Sequence, residues 1–249
     1  MTEVSESSKT WPVESVFAIM KAKSLDHHRG SRLRRLLLLA AVAVAVTLAF
    51  FPLLPGRPVT DCLSMGTAYA GLLFLAAALL IGPFNVLRGL PNPVSTYLRR
   101  DIGIVAGVLA LAHTIIGLQV HLGGDFAQYF FYRTPTGIDG LRHDLFGVAN
   151  HVGLIATLVI LVLLTISNNL SLRTLGAKRW KSIQRWNYIG AIFVIGHGLL
   201  YQAVESRKLA FVTCVLIVTA AVALVQLLGF RRKRQQLEHS ASAGAASAE

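Results

Sequence analysis

Apolar positions fall in six long blocks. Leu36–Leu54, Leu63–Leu87, Ile102–Val120, Leu145–Ile166, Trp186–Val204 and Leu209–Phe230 each run for 19 residues or more without Asp, Glu, Lys or Arg. About 20 helical residues cross a bilayer core. Lipid offers no partner to an open backbone group, so each block is expected to be a helix. The pattern predicts an all-α, polytopic membrane protein: a six-transmembrane-helix bundle over 33–230. A polar amino-terminal segment, 1–32, precedes it. A basic tail that turns low in complexity, 231–249, follows.

Composition agrees. Hydrophobic residues make up 54% of the 249 and charged residues only 14%, a balance foreign to soluble domains. The net charge of +12 raises the question of nucleic acid, and the placement of the charges answers it. Of 24 Lys and Arg residues, 19 fall in the amino-terminal segment, the second and fourth connections and the tail. The other side holds only Arg57, Arg133, Arg142, Arg207 and Lys208. Basic residues mark the cytoplasmic side, so both termini are expected there, in a multi-pass protein of the inner (cytoplasmic) membrane. The partner of this charge is the lipid bilayer, with no role for nucleic acid.

The first 30 residues are polar and the run after them lacks a small-residue cleavage site, so no signal peptide is expected. They read as a loosely ordered lead-in, with "PVESVFAIMK" as a candidate interfacial helix. The stretch after Arg234, "QQLEHSASAGAASAE", reads as disordered. Cys62 and Cys214 make no disulfide framework and are expected to be buried, inert thiols. No CxxC, P-loop, GxGxxG or Ser-His-Asp pattern occurs.

An ionisable ring inside a membrane span points to function. His113 lies 13 positions past Arg100, and His197 lies 12 past Arg185. At 1.5 Å per residue both sit about 20 Å from the cytoplasmic side. Two level imidazoles on separate helices can hold a porphyrin, one on each face of its iron. Ala106, Ala110 and Gly117 share the His113 face, and Gly190, Gly196 and Gly198 surround His197. Small residues leave room for a flat ring, although close helix packing also favours them. The competing reading is a neutral histidine hydrogen-bonded between helices.

His121 and His151 fall near the outer interface as candidates for a second haem or metal site, against ordinary interfacial histidines or partners of haem propionates. His143, beside Arg142 and Asp144, reads as solvated. The longest connection, "GGDFAQYFFYRTPTGIDGLRHD", carries Phe126, Tyr129, Phe130, Phe131 and Tyr132. These read as an interfacial aromatic belt, with a lid over an outer site as the alternative. Arg133 and Arg142 are candidates to pair with haem propionates.

Two segments, "GPFNVLRGLPNPVSTYLRRDIGIVAGVLALAHTIIGLQVH" and "LTISNNLSLRTLGAKRWKSIQRWNYIGAIFVIGHGLLYQ", resemble the ferric reductase-like transmembrane domain family. That family includes the haem-carrying membrane subunit of the bacterial methionine-sulfoxide reductase system and the membrane cores of NADPH oxidases. The resemblance covers roughly residues 65 to 230. It implies b-type haem between His113 and His197 and electron transfer across the membrane. Two-haem members carry a further histidine 13 positions before the deep one on the equivalent of the fifth helix. Gln184 stands there in this chain, so one haem b is expected.

The expected function is electron relay by that haem, as an oxidoreductase component. A quinol or a separate flavoprotein would be the donor, since no flavin or nicotinamide domain is evident in this chain. Ferric iron or a partner reductase would be the acceptor. A small transporter or proton-conducting protein using the same two histidines is the alternative, weakened by the absence of Asp and Glu from the six runs.

Overall fold

The computed structural model describes residues 13–90 and 97–246, with side chains for 30–90, 97–240 and 242. Contacts divide the chain into two units, Met1–Ala41 and Val42–Glu249. The first is helical from Val13 onward and exposes Leu33, Leu37 and Leu38. The lead-in expected to be loosely ordered is thus helical where it is described. Residues 1–12 lie outside the described residues.

Helix α1 (Val13–Leu48) ends in the second unit. Short-range turns continue it to Leu54, because Pro52 and Pro55 cannot extend a helix. Helices α2 (Val59–Leu87), α3 (Tyr97–Gly117), α5 (Leu145–Thr165), α7 (Trp186–Val204) and α8 (Leu209–Ala246) follow. Between α3 and α5 lie the short α4 (Phe126–Phe130) and two strands, β1 (Phe131–Thr134) and β2 (Gly137–Leu141). Helix α6 (Asn169–Gln184) breaks at Gly176, whose φ of 71° only glycine adopts cheaply. It then runs almost directly into α7.

Five helical spans are long and apolar enough to cross a membrane among the described residues: the α2, α3, α5, α6–α7 and α8 regions. Large apolar side chains such as Leu158, Ile192, Leu216 and Leu224 face outward. That is how a bundle solvated by lipid presents itself. The chain is a multi-pass, mostly helical membrane protein.

In the second unit α2 packs along α3 and α8, α5 along α7, and α3 touches α5. Glycines set the closest approaches. A Cβ at Gly66 would meet the Thr47 carbonyl at 2.5 Å, and one at Gly229 would meet Pro83 at 2.8 Å. The two ends of the bundle differ. One, the basic end, carries Arg99, Arg100, α6 and the Arg231–Arg234 run. The other, the hairpin end, carries β1 and β2.

The all-α reading holds for the spans, with one short addition: β1 pairs antiparallel with β2 across the Thr134–Gly137 turn. The Phe and Tyr residues of β1 favour strands. Two expectations need correction. The tail is helical to Ala246 rather than disordered. Alanine is the best helix former, Arg234 pairs with Glu238, and Ser240 and Ser242 bond back one turn. Cys214 is exposed; only Cys62 is buried.

Candidate functional site

The counted helical rise placed His113 and His197 at one level, and the structure brings them together. Their ring centroids lie 6.0 Å apart with the planes inclined at 69°. Each ring is held from a neighbouring helix. His113 Nδ1 is 2.9 Å from the Ser64 carbonyl oxygen on α2, and His197 Nδ1 is 2.9 Å from that of Ala149 on α5. A carbonyl only accepts, so both rings carry their proton on Nδ1. Each Nε2 therefore keeps a lone pair. This is the arrangement that orients metal-binding imidazoles, the outer nitrogen bonded to a backbone oxygen and the inner one available. On a metal–nitrogen distance of about 2 Å, two imidazoles on opposite sides of one ion have centroids about 6 Å apart.

Both histidines line a cavity of about 800 Å³ between the α2–α3 and α5–α7 pairs. Cofactor sites are usually 300–1,000 Å³. Ala106, Ala110 and Gly117 are on its wall, as is Gly198. Gly190 is not. It packs against α5, where an added Cβ would lie 3.2 Å from Val159, so helix packing explains it. A glycine on another helix matters more. A Cβ at Gly153 on α5 would sit 2.6 Å from His197 Nδ1. The donor set, tautomers, spacing and small-residue wall all fit an iron porphyrin.

Polar groups extend from His197 toward the hairpin end. The Tyr201 ring lies 4.9 Å from the His197 ring and 6.3 Å from that of His121. Tyr201 donates to Asn150 Oδ1 at 2.8 Å. Gln202 donates to the Tyr69 hydroxyl, which donates to the Phe211 carbonyl. His121 Nε2 is 3.0 Å from Glu205, and Arg207 pairs with the same carboxylate at 3.5 Å.

The remaining sequence candidates go elsewhere. His121 pairs with Glu205, while His151 Nδ1 faces the Gly147 carbonyl at 2.6 Å and its ring packs on Phe130. The two have separate partners, and no group of three or more His, Cys, Asp or Glu residues suited to a metal occurs among the described residues. Arg133 pairs with Asp125, and Arg142 with Asp144 and the Gln128 carbonyl. Neither lines the cavity. Arg207 does, with a side chain only 16% exposed; sequence reading passed over it as one of five cations on the less basic side. Tyr129 and Phe130 are buried on the cavity wall rather than forming a belt. Burial pushes the Tyr129 phenol up, so it stays a neutral donor, closing the end of α3 through the Gly117 and His121 carbonyls. Phe126 is exposed. His143 is exposed beside Tyr132, as its solvated reading requires.

Local acids position this end. The Asp125 carboxyl is held below its usual range by the Gln128 hydrogen bond and the Arg133 charge. Asp144 caps α5 through Gly147 N–H at 2.8 Å, and the Arg142 hydrogen bond holds its carboxyl low. Removing such a cap costs about 1 kcal/mol. Asp144→Ala should therefore lower the thermal midpoint in detergent. A folded pKa below the unfolded one stabilises above the unfolded value and is lost as pH falls through the folded value. The gap between wild type and variant should be constant at neutral pH and close below about pH 4. Equal midpoints at neutral pH would show that the cap carries no stability.

No family model matches the chain.

Proposed function

We propose that the protein is a membrane electron-transfer subunit that holds one b-type haem between His113 and His197. The observation that carries this reading is the pair of imidazoles 6.0 Å apart, each with Nδ1 against a backbone carbonyl of a neighbouring helix. The resemblance of the α2–α3 and α6–α7 segments to ferric reductase-like membrane domains supports it. His113 and His197 would hold the haem, which when bound there would supply reversible one-electron transfer.

The chain's own residues do the rest. Ser64 and Ala149 fix the ring orientations. Gly117, Gly153 and Gly198 give the rings and a planar ligand their space. Tyr129 and Phe130, both buried, line the hairpin end of the cavity. Arg207, paired with Glu205, lines that end of the cavity. The Tyr201 and His121 rings lead from His197 toward the same end, and His121 is 28% exposed. This favours an acceptor reached there, such as ferric iron or a partner reductase. The donor, a quinol or a separate flavoprotein, belongs to the opposite side. In this reading α1 is a sixth span and both termini are cytoplasmic, on the 19-to-5 division of basic residues.

A reduced-minus-oxidised spectrum tests the proposal. Purified protein should show a low-spin b-type spectrum, and a haemochrome assay should give about one haem per chain on two ligands per iron. Gln184, hydrogen-bonded at 3.4 Å to Ser167, should be replaceable by Ala without loss of haem. Two haems per chain would refute the count. Folded but colourless protein from haem-sufficient cells would refute the function.

A further inference from the structure

The hydrogen bond from His197 Nδ1 to the Ala149 carbonyl aims the ring but does not by itself set its plane. The χ2 torsion of a histidine is broad, so the imidazole can roll about that one bond. A second restraint lies one turn further along α7. Tyr201 shares the His197 face of the helix. The two ring centroids are 4.9 Å apart, with their planes inclined at 51°.

Tyr201 is itself tied down. Its hydroxyl lies 2.8 Å from Asn150 Oδ1. The other partner of the amide fixes which way round it sits. Asn150 Nδ2 is 2.9 Å from the Phe146 carbonyl, and a carbonyl only accepts. Oδ1 is thus left for the phenol, which donates. Phe146 at 6.1 Å and His121 at 6.3 Å pack against the same tyrosine ring. Ala149 and Asn150 are neighbours on α5, so one turn of α7 is fastened to one turn of α5 twice, through His197 and through Tyr201. Packing alone does not call for this. A Phe against a Leu would fill the space without burying a hydroxyl and an amide, and Asn150 is only 7% exposed. A polar side chain inside a membrane bundle needs such a partner.

We propose that Tyr201, tied to Asn150, is a positioning residue that fixes the plane of the His197 imidazole. Its consequence rests on the haem reading above. The planes of two axial imidazoles direct the d orbitals of the iron. Parallel planes split dxz from dyz, and crossed planes leave them close in energy. The His113 and His197 planes are inclined at 69°, toward the crossed extreme. Outer partners of a metal-binding imidazole set its orientation in this way.

Electron paramagnetic resonance of the purified ferric protein reads this angle. Wild type should give the strongly anisotropic low-field line of crossed planes. Tyr201→Phe keeps the ring and deletes only the tether. It should still bind haem, with the signal moved toward the rhombic pattern of more parallel planes. Asn150→Ala should do the same, and the double variant should go no further than either, because one interaction is lost in all three. Tyr201→Leu removes the ring as well and should weaken haem retention at least about tenfold. Tyr69→Phe is the control. Its hydroxyl also bridges helices, accepting from Gln202 and donating to the Phe211 carbonyl. Its ring meets Phe50 and Phe211, so its loss should lower the thermal midpoint and leave the resonance line in place.

A line unchanged in both Tyr201→Phe and Asn150→Ala would overturn the proposal. So would an equal shift in Tyr69→Phe, which would make the effect a general loosening. Haem-free protein with isotopically labelled histidine, read by nitrogen NMR, keeps this outcome apart from the haem reading. The signal missing from His197→Ala should carry its proton on Nδ1 and should shift in Tyr201→Phe. Colourless wild type that shows this shift would refute the haem reading and support the hold of Tyr201 on the ring. Absence of the shift would refute that hold whether or not haem binds.

Discussion

Replacing His113 or His197 with Ala should cut the low-spin haem spectrum of the purified protein to less than about a tenth of wild type, because either change removes one of two axial bonds. On the proposed reading the two histidines would hold one ligand between them, so they should act as a unit. The double variant should be little worse than either single one, a clear departure from additivity. Each ring also has one strong hydrogen bond to a neighbouring helix, from His113 to Ser64 and from His197 to Ala149. Loss of either leaves a carbonyl without that donor, so size-exclusion behaviour and thermal midpoint should be measured on every variant. A colourless protein that remains monodisperse identifies a lost ligand rather than a lost fold. His121→Ala and His151→Ala are the controls. His121 is committed to Glu205 and His151 to the Gly147 carbonyl, so both should keep the spectrum. His121→Ala should shift the midpoint potential by altering the charge balance of Glu205 and Arg207. An intact bis-histidine spectrum in either His113→Ala or His197→Ala would overturn the assignment.

The level meeting of His113 and His197 was legible because a helix has one rise. Counting residues from the basic border of α3 and of α7 gives the same depth without knowledge of packing. Five of the six expected spans were legible for the same reason: charge-free length is a one-dimensional property. What the count could not show is which neighbouring helix each ring faces. The carbonyls of Ser64 and Ala149 carry no side-chain signal. Ser64 contributes through its backbone, and its hydroxyl stands only 3.4 Å from His113. The sequence makes Arg133 and Arg142 candidates to pair with an acidic ligand group. Each instead meets a nearby acid in its own connection, Asp125 or Asp144. Short loops bring such pairs together before any distant partner competes. The helical tail shows the opposite error. Low complexity argued for disorder, yet the alanines and the i,i+4 Arg234–Glu238 pair have ordinary helix-forming chemistry.

Glycines give the sharpest case, because composition says a small residue is present but not what it is small for. Of those singled out around His197 on its own helix, Gly196 and Gly198 have room to spare. A Cβ at Gly198 meets nothing within 4 Å, and one at Gly196 lies 3.7 Å from Val152. Gly153, on α5, is the position without slack. An added methyl would sit 2.6 Å from His197 Nδ1 and 2.8 Å from its Cε1, closer than those atoms can approach. The ring must swing away, and the Nδ1 hydrogen bond to the Ala149 carbonyl must stretch or break. That bond sets the tautomer and aims Nε2, and loss of such an outer partner typically costs 10–100-fold in metal affinity. Gly153→Ala should therefore lose haem almost as completely as His197→Ala, although alanine is the milder change and the better helix former. Gly196→Ala and Gly198→Ala should keep a full complement. The comparison separates crowding of the ring from a general intolerance of larger residues in the bundle. Helix content and monodispersity of Gly153→Ala should match wild type, and its residual haem should show high-spin character from a displaced ligand. A wild-type spectrum in Gly153→Ala would mean that His197 is not held against α5 as this geometry requires, and the argument for its tautomer would go with it.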